Sequence, residues 1–466
     1  MEPGPSWAAG GLADHASHEA KARATSKTRV KARLPADTNR DTMSDVATRA
    51  DSKLMLSAPM SRLAQNRAGS RALALLPPAR DAGGMARPLA KLLSMRTPKR
   101  RWAQFSLATL FVVVTTLCVS SPAAELKTTI DSLVEPLTKD KQTVGLVVGV
   151  LVGDLPQVFG YGRVTTPCGE LQPDGDTLFE IGSITKAFTG VLLAEAMVRN
   201  EVKLDDPANQ HLPNDLQIRP LTDKSITLLH LATHRSGLAV QPPLIGLTAR
   251  NMKNPYADFT RTKLVALMAA LKPMREPGEK YEYSNLAVGL LGHALVNNAK
   301  AASFNTLVKD RVCRPLGMTD TSEGLTGAQK ARLAHGHNAK LEPTDPWEFA
   351  SLEACGGLRS SANDLLKFAA ANLGKTTTPL AEALRASHEK RDITGSEAVE
   401  IGLCWHRLNL KSGEPVVWHN GGTGGYRSML AFTPGTDRAV VVLCAADLGQ
   451  QVDKLALEVL TAVQPN

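Results

Sequence analysis

Cysteine, aromatic residues and cofactor-binding motifs are all scarce in this chain. Its 466 residues include 6 cysteines, and phenylalanine, tryptophan and tyrosine together make up 4% of the sequence. No two cysteines form a C-x-x-C pair, so the sequence predicts neither a disulfide framework nor a zinc site. A phosphate-binding loop, a dinucleotide fingerprint after a strand and a repeat of fixed period are also missing. We therefore expect chemistry that uses protein side chains and no cofactor.

The positive charge of the chain lies at its N-terminal end. The formal net charge is +9, but residues 1–101 hold 19 Lys and Arg against 8 Asp and Glu and carry +11, which leaves −2 for the rest. Residues 1–94 are rich in Ala, Arg and Ser and lack sustained apolar periodicity, which is typical of a disordered tail. We infer that Met95 is the biological start and that residues 1–94 come from an over-extended reading frame; the alternative is a real, disordered, basic tail. The tail contains no recognition motif or interleaved aromatics, so we expect no nucleic-acid partner.

A short export signal follows the tail. A basic segment (95–101), an apolar stretch (105–119) and small residues up to Ala124 succeed one another. This order predicts a secretory signal peptide over residues 95–124, cleaved near Ala124. The apolar stretch is shorter than the roughly 20 residues that span a bilayer, and the alternative is an uncleaved membrane anchor through residues 102–119. Either way we expect an exported protein, periplasmic or extracellular.

The remaining residues, 125–466, suffice for one large domain, or two interleaved lobes, with strands at both ends and helices between. Runs at 143–152 and 157–164 flank a turn-forming Gly-Asp-Leu-Pro segment and predict a hairpin. We expect helices at Lys263–Leu271, Leu286–Val296, Phe304–Val312, Leu365–Leu373 and Val452–Val463, and C-terminal strands at Ile401–Leu408, Pro415–His419, Arg427–Phe432 and Arg438–Ala445. The predicted fold is one antiparallel sheet built from both chain ends and flanked by helices, with an inserted, mostly helical lobe.

The most informative short motif is Ser183-Ile-Thr-Lys186. A predicted strand and Gly182 precede it, and the apolar helical run 191–198 follows. On a helix, residues three apart share a face, so the lysine amine can take the serine proton. Free N–H groups and the dipole at the helix start also favour an anion there. A second S-x-x-K begins at Ser387 in a polar stretch, and we interpret it as a surface coincidence.

Two further motifs supply partners for Ser183. In Tyr283-Ser-Asn285, at a loop-to-helix transition, the tyrosine can shuttle the serine proton and the Asn amide can bond a substrate carbonyl. A tyrosine packed at a helix start with Asn as the cap gives the same pattern. The run His419-Asn-Gly421-Gly422 ends a predicted strand, where glycines admit a substrate backbone and a free N–H can serve an oxyanion. Its alternative is a tight hairpin whose glycines only satisfy turn geometry.

A pair of histidines has the spacing of metal ligands but not their context. His230 and His234 are four residues apart, without the glutamate of H-E-x-x-H and without an evident third ligand. We interpret them as a structural helix end and predict no metal site.

The order S-x-x-K, Y-x-N, H-x-G resembles the penicillin-recognising serine hydrolases, specifically the class C β-lactamase group. The resemblance covers nearly all of residues 125–466 and implies an α/β sandwich with a helical lobe. It also implies the roles of the site residues: Ser183 as nucleophile, Lys186 and Tyr283 as the proton-transfer pair, Asn285 as a substrate contact, and Ser183 and Gly422 as donors of the oxyanion-hole N–H groups.

The third motif departs from that group. Class C β-lactamases usually carry Lys-Thr-Gly where this chain has His419-Asn-Gly421, whereas related D-Ala-D-Ala peptidases, esterases and D-aminopeptidases often carry a histidine. Loss of a permanent cation weakens recognition of a substrate carboxylate unless His419 is protonated or another basic residue helps.

These observations predict an exported serine hydrolase that forms an acyl-enzyme on Ser183 with a β-lactam amide or a D-Ala-D-Ala-type peptide. An esterase or a D-aminopeptidase is the alternative within the family. From another class, the alternative is a non-catalytic, membrane-anchored binding protein. The intact set Ser183, Lys186, Tyr283 and Asn285 argues against it, because no structural role demands all four.

Overall fold

The structure is a computed structural model that describes residues 122–139, 145–242, 253–396, 398–410 and 413–463, all within one unit of the chain. The N-terminal tail and the predicted signal lie outside the described residues, except that residues 122–124 begin the first helix. The strands are β1 (Leu146–Val152), β2 (Leu155–Tyr161), β3 (Val164–Thr166), β4 (Gly169–Leu171), β5 (Leu178–Glu180), β6 (Gly336–His337), β7 (Pro343–Thr344), β8 (Arg359–Ser361), β9 (Asp392–Ile393), β10 (Val399–Ile401), β11 (His406–Asn409), β12 (Pro415–Gly422), β13 (Arg427–Thr433) and β14 (Arg438–Cys444). The α-helices are α1 (Pro122–Thr138), α2 (Thr185–Val198), α3 (Ala208–His211), α4 (Leu228–Ala232), α5 (Arg261–Ala270), α6 (Asn285–Asn298), α7 (Phe304–Val308), α8 (Gly327–Lys330), α9 (Ala362–Asn372), α10 (Ala381–Ser387) and α11 (Gln451–Ala462).

The main sheet joins the two ends of the described chain. Its eight strands follow the order β2-β1-β14-β13-β12-β11-β10-β9, and every neighbouring pair is antiparallel. β1 pairs with β14 over its whole length, from Leu146 opposite Cys444 to Val152 opposite Arg438. The predicted fold class, an antiparallel sheet closed by both termini with helices around it, is confirmed.

Alternation along the strands divides the core into two layers. Side chains on one face of β1 and β14, such as Val148 and Val442, pack in a cluster with α1 and α11. Their neighbours on the other face, such as Val147 and Val441, pack in the cluster that contains α2, α9 and the helical lobe. Both faces are covered because successive strand residues point to opposite sides and each side here is apolar.

Some predicted element bounds are wrong for identifiable reasons. The predicted strand Ile401–Leu408 is two strands, because the chain turns at residues 402–405 and Cys404 adopts the left-handed conformation with φ of 60°. The amide of Cys404 donates to the carbonyl of Ala232 at 3.0 Å, which holds that turn against the helical lobe. The strand predicted to end at His419 continues to Gly422.

Candidate functional site

A tight turn places Ser183 immediately before α2, a helix of 14 residues. A 3₁₀ turn, Gly182–Ile184, leads directly into α2, and Lys186 lies in the first turn of that helix. Gly182 has φ of 47°, a conformation that glycine adopts without strain. As a result, Nζ of Lys186 lies 2.9 Å from Oγ of Ser183. The expected serine–amine pair is therefore formed.

Burial tunes the amine of Lys186. The side chain is 0% exposed, and besides Ser183 its Nζ donates to the carbonyl oxygen of Cys355 at 2.6 Å. Burial lowers the pKa of Lys186 to about 8 because the charged form loses its hydration. Roughly a tenth of the molecules thus carry a neutral amine at pH 7, able to accept a proton.

Tyr283 lies over this amine at the start of α6. Ser284 caps the helix by accepting a hydrogen bond from the amide of Ala287 at 3.0 Å, so the cap is serine and not the asparagine of the motif. Nζ of Lys186 is 4.8 Å from the centroid of the Tyr283 ring. Burial raises the pKa of Tyr283 well above its ordinary value, and a hydrogen bond with Ser183 offsets only part of this effect. The phenol therefore keeps its proton at neutral pH.

His234 packs against the segment that carries Tyr283. It has φ of 57° and is fully buried, and its Nδ1 accepts a hydrogen bond from the amide of Ser284 at 3.1 Å. Its ring packs on the ring of Tyr283 with centroids 4.5 Å apart. His230 instead completes a capping box with Thr227 at the start of α4. In the part of the chain that the structure describes, no group of His, Cys, Asp and Glu side chains is arranged to hold a metal ion.

Asn285 is bound to a tyrosine that no motif contains. Its Nδ2 donates to the hydroxyl of Tyr256 at 2.8 Å, and its Oδ1 is buried with no hydrogen-bond partner among the described residues. Tyr256 lies outside the three motifs, and nothing in its sequence surroundings singles it out. The same holds for Cys355, which contributes a backbone carbonyl that any residue type supplies.

His419 is a buried, neutral residue within β12. It lies opposite Leu430 in the ladder, is 0% exposed, and its Nδ1 donates to the carbonyl of Asn420 at 2.7 Å. Burial, together with the nearby His406 and Lys186, lowers the pKa of His419 well below its ordinary value. The ring of His406 is 5.2 Å away, centroid to centroid. The position that usually holds a lysine therefore carries no positive charge at neutral pH.

The end of β12 lies directly against the turn that carries Ser183. A Cβ added to Gly421 would overlap the carbonyl oxygen of Ile181 and lie 2.5 Å from Oγ of Ser428. A Cβ added to Gly182 would lie 2.6 Å from the amide nitrogen of Gly422. Only glycine permits this approach, which brings the Gly422 amide beside the Ser183 turn.

Ser387, the serine of the second S-x-x-K, is buried at the end of α10, so its predicted surface location is wrong. Its Oγ donates to the carbonyl of Leu384 at 2.7 Å and accepts a hydrogen bond from Nε1 of Trp405 at 3.1 Å. Lys390 pairs with Glu400 at 2.7 Å. The second motif therefore contains a structural serine whose lysine bonds elsewhere.

The described helices include none that is both long and apolar enough to cross a membrane.

Comparison with known proteins shows the family to which this chain belongs. The β-lactamase family model matches residues 130–463. A β-lactamase from Pseudomonas fluorescens is 28% identical over 356 residues, which cover 69% of this chain and 94% of the relative. The D-alanyl-D-alanine-carboxypeptidase/endopeptidase AmpH of Escherichia coli (strain K12) is 27% identical over 303 residues, covering 62% of this chain and 76% of the relative.

Solved structures show the same architecture. The D-alanine carboxypeptidase AmpC from Burkholderia cenocepacia matches with a TM-score of 0.61 and 26% identity, over 73% of this chain and 100% of that one. A class C β-lactamase matches in fold with a TM-score of 0.64 at 23% identity, over 74% of this chain and 98% of that one. With a family match over most of its length, this chain belongs to the β-lactamase family of serine hydrolases.

Proposed function

We propose that this protein is an exported serine hydrolase that forms an acyl-enzyme on Ser183 with a β-lactam amide or a D-Ala-D-Ala-type peptide. The observation that carries the proposal is the buried amine of Lys186, 2.9 Å from the Ser183 hydroxyl and with its pKa lowered to about 8. The names of the relatives, β-lactamase and D-alanyl-D-alanine carboxypeptidase, support this choice of substrate. Export is inferred from the signal-like segment at residues 95–124.

Acylation begins with transfer of the hydroxyl proton. Neutral Lys186 accepts the proton of Ser183 while the serine oxygen forms a bond to the carbonyl carbon. The carbonyl π electrons move to its oxygen, and the backbone N–H groups of Ser183 and Gly422 stabilise that oxyanion. The helix start at α2 adds a favourable dipole at the same place.

Collapse of the intermediate requires a proton on the leaving nitrogen. Protonated Lys186 and the Tyr283 hydroxyl, which both contact Ser183, relay that proton as the carbon–nitrogen bond breaks. Water then attacks the ester and gives its proton to the same pair, and the serine oxygen leaves with a proton. The enzyme returns to its starting state with the acid product released.

A specific observation favours a second candidate, an esterase or D-aminopeptidase of the same family. The buried, neutral His419 offers no cation for a substrate carboxylate, which β-lactams and D-Ala-D-Ala peptides both carry. Ester substrates without a carboxylate lose nothing from its absence. The two candidates share the Ser183 chemistry and differ in the substrate that the site prefers.

Replacement of Ser183 by alanine tests the nucleophile. We expect Ser183→Ala to abolish covalent labelling by a fluorescent penicillin and by a fluorophosphonate, because the attacking oxygen is gone. Ser387→Ala, which changes the serine of the second S-x-x-K, is the matched control and should label at the wild-type rate. Labelling retained by folded Ser183→Ala protein contradicts the assignment.

The lifetime of the adduct distinguishes the candidate activities. Intact-mass measurement of the wild-type protein after incubation with penicillin shows whether a penicilloyl adduct forms and how long it persists. A stable adduct favours a D,D-peptidase, and rapid nitrocefin turnover favours a β-lactamase. Turnover of p-nitrophenyl esters alone favours the esterase.

A further inference from the structure

A buried tyrosine outside all three motifs joins two side-chain amides at the site. Tyr256 is 3% exposed, and its hydroxyl donates to the carbonyl oxygen of Gln241 at 2.5 Å. The same hydroxyl oxygen accepts a hydrogen bond from Nδ2 of Asn285 at 2.8 Å. One of the two amides thus belongs to the residue expected to contact substrate.

The hydrogen-bond order fixes the orientation of Asn285. A tyrosine hydroxyl has a single proton, and because Gln241 accepts it, Asn285 must present its NH₂ group to the tyrosine. Its Oδ1 is left buried and without a partner among the residues that the structure describes. An unpaired buried acceptor is unfavourable, so this oxygen is suited to a donor that arrives with a ligand. Burial also raises the pKa of Tyr256 well above its usual value, so the hydroxyl keeps its proton.

Aromatic packing holds the hydroxyl in place. The ring of Tyr256 stacks on Phe349, with centroids 4.6 Å apart and planes 20° apart, and lies 5.7 Å from the ring of Trp347. Phe349 in turn packs over Gly356, where an added Cβ would lie 2.5 Å from its ring. Gly356 follows Cys355, whose carbonyl accepts the hydrogen bond from Lys186. The segment that holds the candidate base therefore also supports the tyrosine.

We propose that Tyr256 is a positioning residue that fixes the Asn285 side chain for substrates with an acylamino group next to the reacting carbonyl. Such a group supplies an amide N–H that can donate to Oδ1 of the fixed Asn285. The acylamino side chain of a β-lactam and the penultimate peptide bond of a peptide are examples. Substrates without that amide gain nothing from the fixed orientation of Asn285. The inference rests on the proposed function and names the feature of the substrate that the same site selects.

The test compares two probes that label the same serine. In the full chain, Tyr256→Phe keeps the ring and removes the hydroxyl. Second-order labelling rate constants are measured with a fluorescent penicillin, which has the acylamino group, and with a fluorophosphonate, which lacks it. The ratio of the two constants should fall about 3- to 10-fold, the size expected for one lost hydrogen bond. Tyr161→Phe removes a hydroxyl that bonds Asp131, away from the site, and is the matched control, with an unchanged ratio expected.

A double variant separates positioning from general packing. Because Tyr256 acts through Asn285, Tyr256→Phe should change the ratio no further in an Asn285→Ala background. An unchanged ratio in Tyr256→Phe, an equal loss with both probes, or an additional fall in the double variant overturns the inference. If the wild-type protein is not labelled at all, the proposed function fails together with the inference. If wild-type labelling is normal and the Tyr256→Phe ratio does not move, only the inference fails.

Discussion

At the scale of single residues, the pKa values of Lys186 and Tyr283 are shifted in opposite directions, which gives the two side chains different roles. Both are buried, but burial acts oppositely on an amine and on a phenol: it lowers the pKa of Lys186 to about 8 and raises that of Tyr283 well above its ordinary value. Of these two side chains, therefore, only Lys186 changes protonation within the physiological range. We infer that the lysine is the base in the free enzyme and that the tyrosine relays a proton without ionising first.

This separation predicts the pH dependence of acylation. The neutral fraction of Lys186 rises with pH through about 8, so the labelling rate constant with a fluorescent penicillin should rise about tenfold per pH unit below that value and level off above it. His419 stays neutral across this range because its pKa is lowered, so it adds no second inflection. Labelling rates measured from pH 6 to 9.5 check the profile. A rate constant that does not vary between pH 6 and 8 contradicts lysine as the base.

At the scale of elements, β12 lies so close to the Ser183 turn that one added methyl group would clash with the turn. In Gly421→Ala, the new Cβ would overlap the Ile181 carbonyl oxygen and crowd Ser428, which donates to that oxygen at 2.9 Å. We expect a loss of about 1–3 kcal/mol in the free energy of unfolding, the usual cost of overpacking. The labelling rate should fall at least about tenfold, because the strand edge is displaced from the nucleophile.

Denaturant unfolding and penicillin labelling measure these two effects. Gly327→Ala is the matched control, because a Cβ at Gly327 meets no atom within 4 Å and α8 lies in another part of the chain. Wild-type stability and labelling in Gly421→Ala would show that β12 does not lie this close to the turn.

The elements also show what the sequence alone can predict. Apolar runs and cap residues are local signals, and they located α6, α9, β13 and β14 to within a few residues. The turn inside 401–408 was missed because Cys404 adopts a left-handed conformation that sequence assigns to glycine. Its hydrogen bond to Ala232, far away in the chain, selects that turn.

The site residues also divide into those that local spacing places and those that only the tertiary fold brings together. Ser183 and Lys186 are three residues apart on one turn, so spacing alone predicts their contact. Tyr256 reaches Asn285 only through the tertiary fold, and it belongs to no short motif. The neutrality of His419 was likewise beyond sequence, because it depends on burial and on the charge of Lys186 nearby.

At the scale of the whole molecule, the fold depends on both ends of the hydrolase domain. β1 lies between β2 and β14 in the sheet, and α1 packs on the same face as α11. Within α1, Ile130 and Val134 are fully buried, whereas Leu126 is only partly buried. The stabilising contacts of α1 therefore lie beyond its first turn, and the helix can lose its first residues without losing its core contacts.

This arrangement makes signal cleavage near Ala124 compatible with the fold and predicts its result. Protein recovered after export should begin at Glu125, lack Pro122–Ala124 of α1, and unfold at the same temperature as the uncleaved chain, because Ile130 and Val134 remain in place. Intact mass, N-terminal sequencing and thermal unfolding measure these outcomes. Leu110→Arg, which puts a charge in the apolar stretch, is the control and should leave the protein unexported and uncleaved. Its N-terminal residue then shows whether synthesis starts at Met95. Exported protein that retains residues 95–124 contradicts cleavage and establishes the membrane anchor instead, since an uncleaved apolar stretch at the membrane keeps the hydrolase domain attached there.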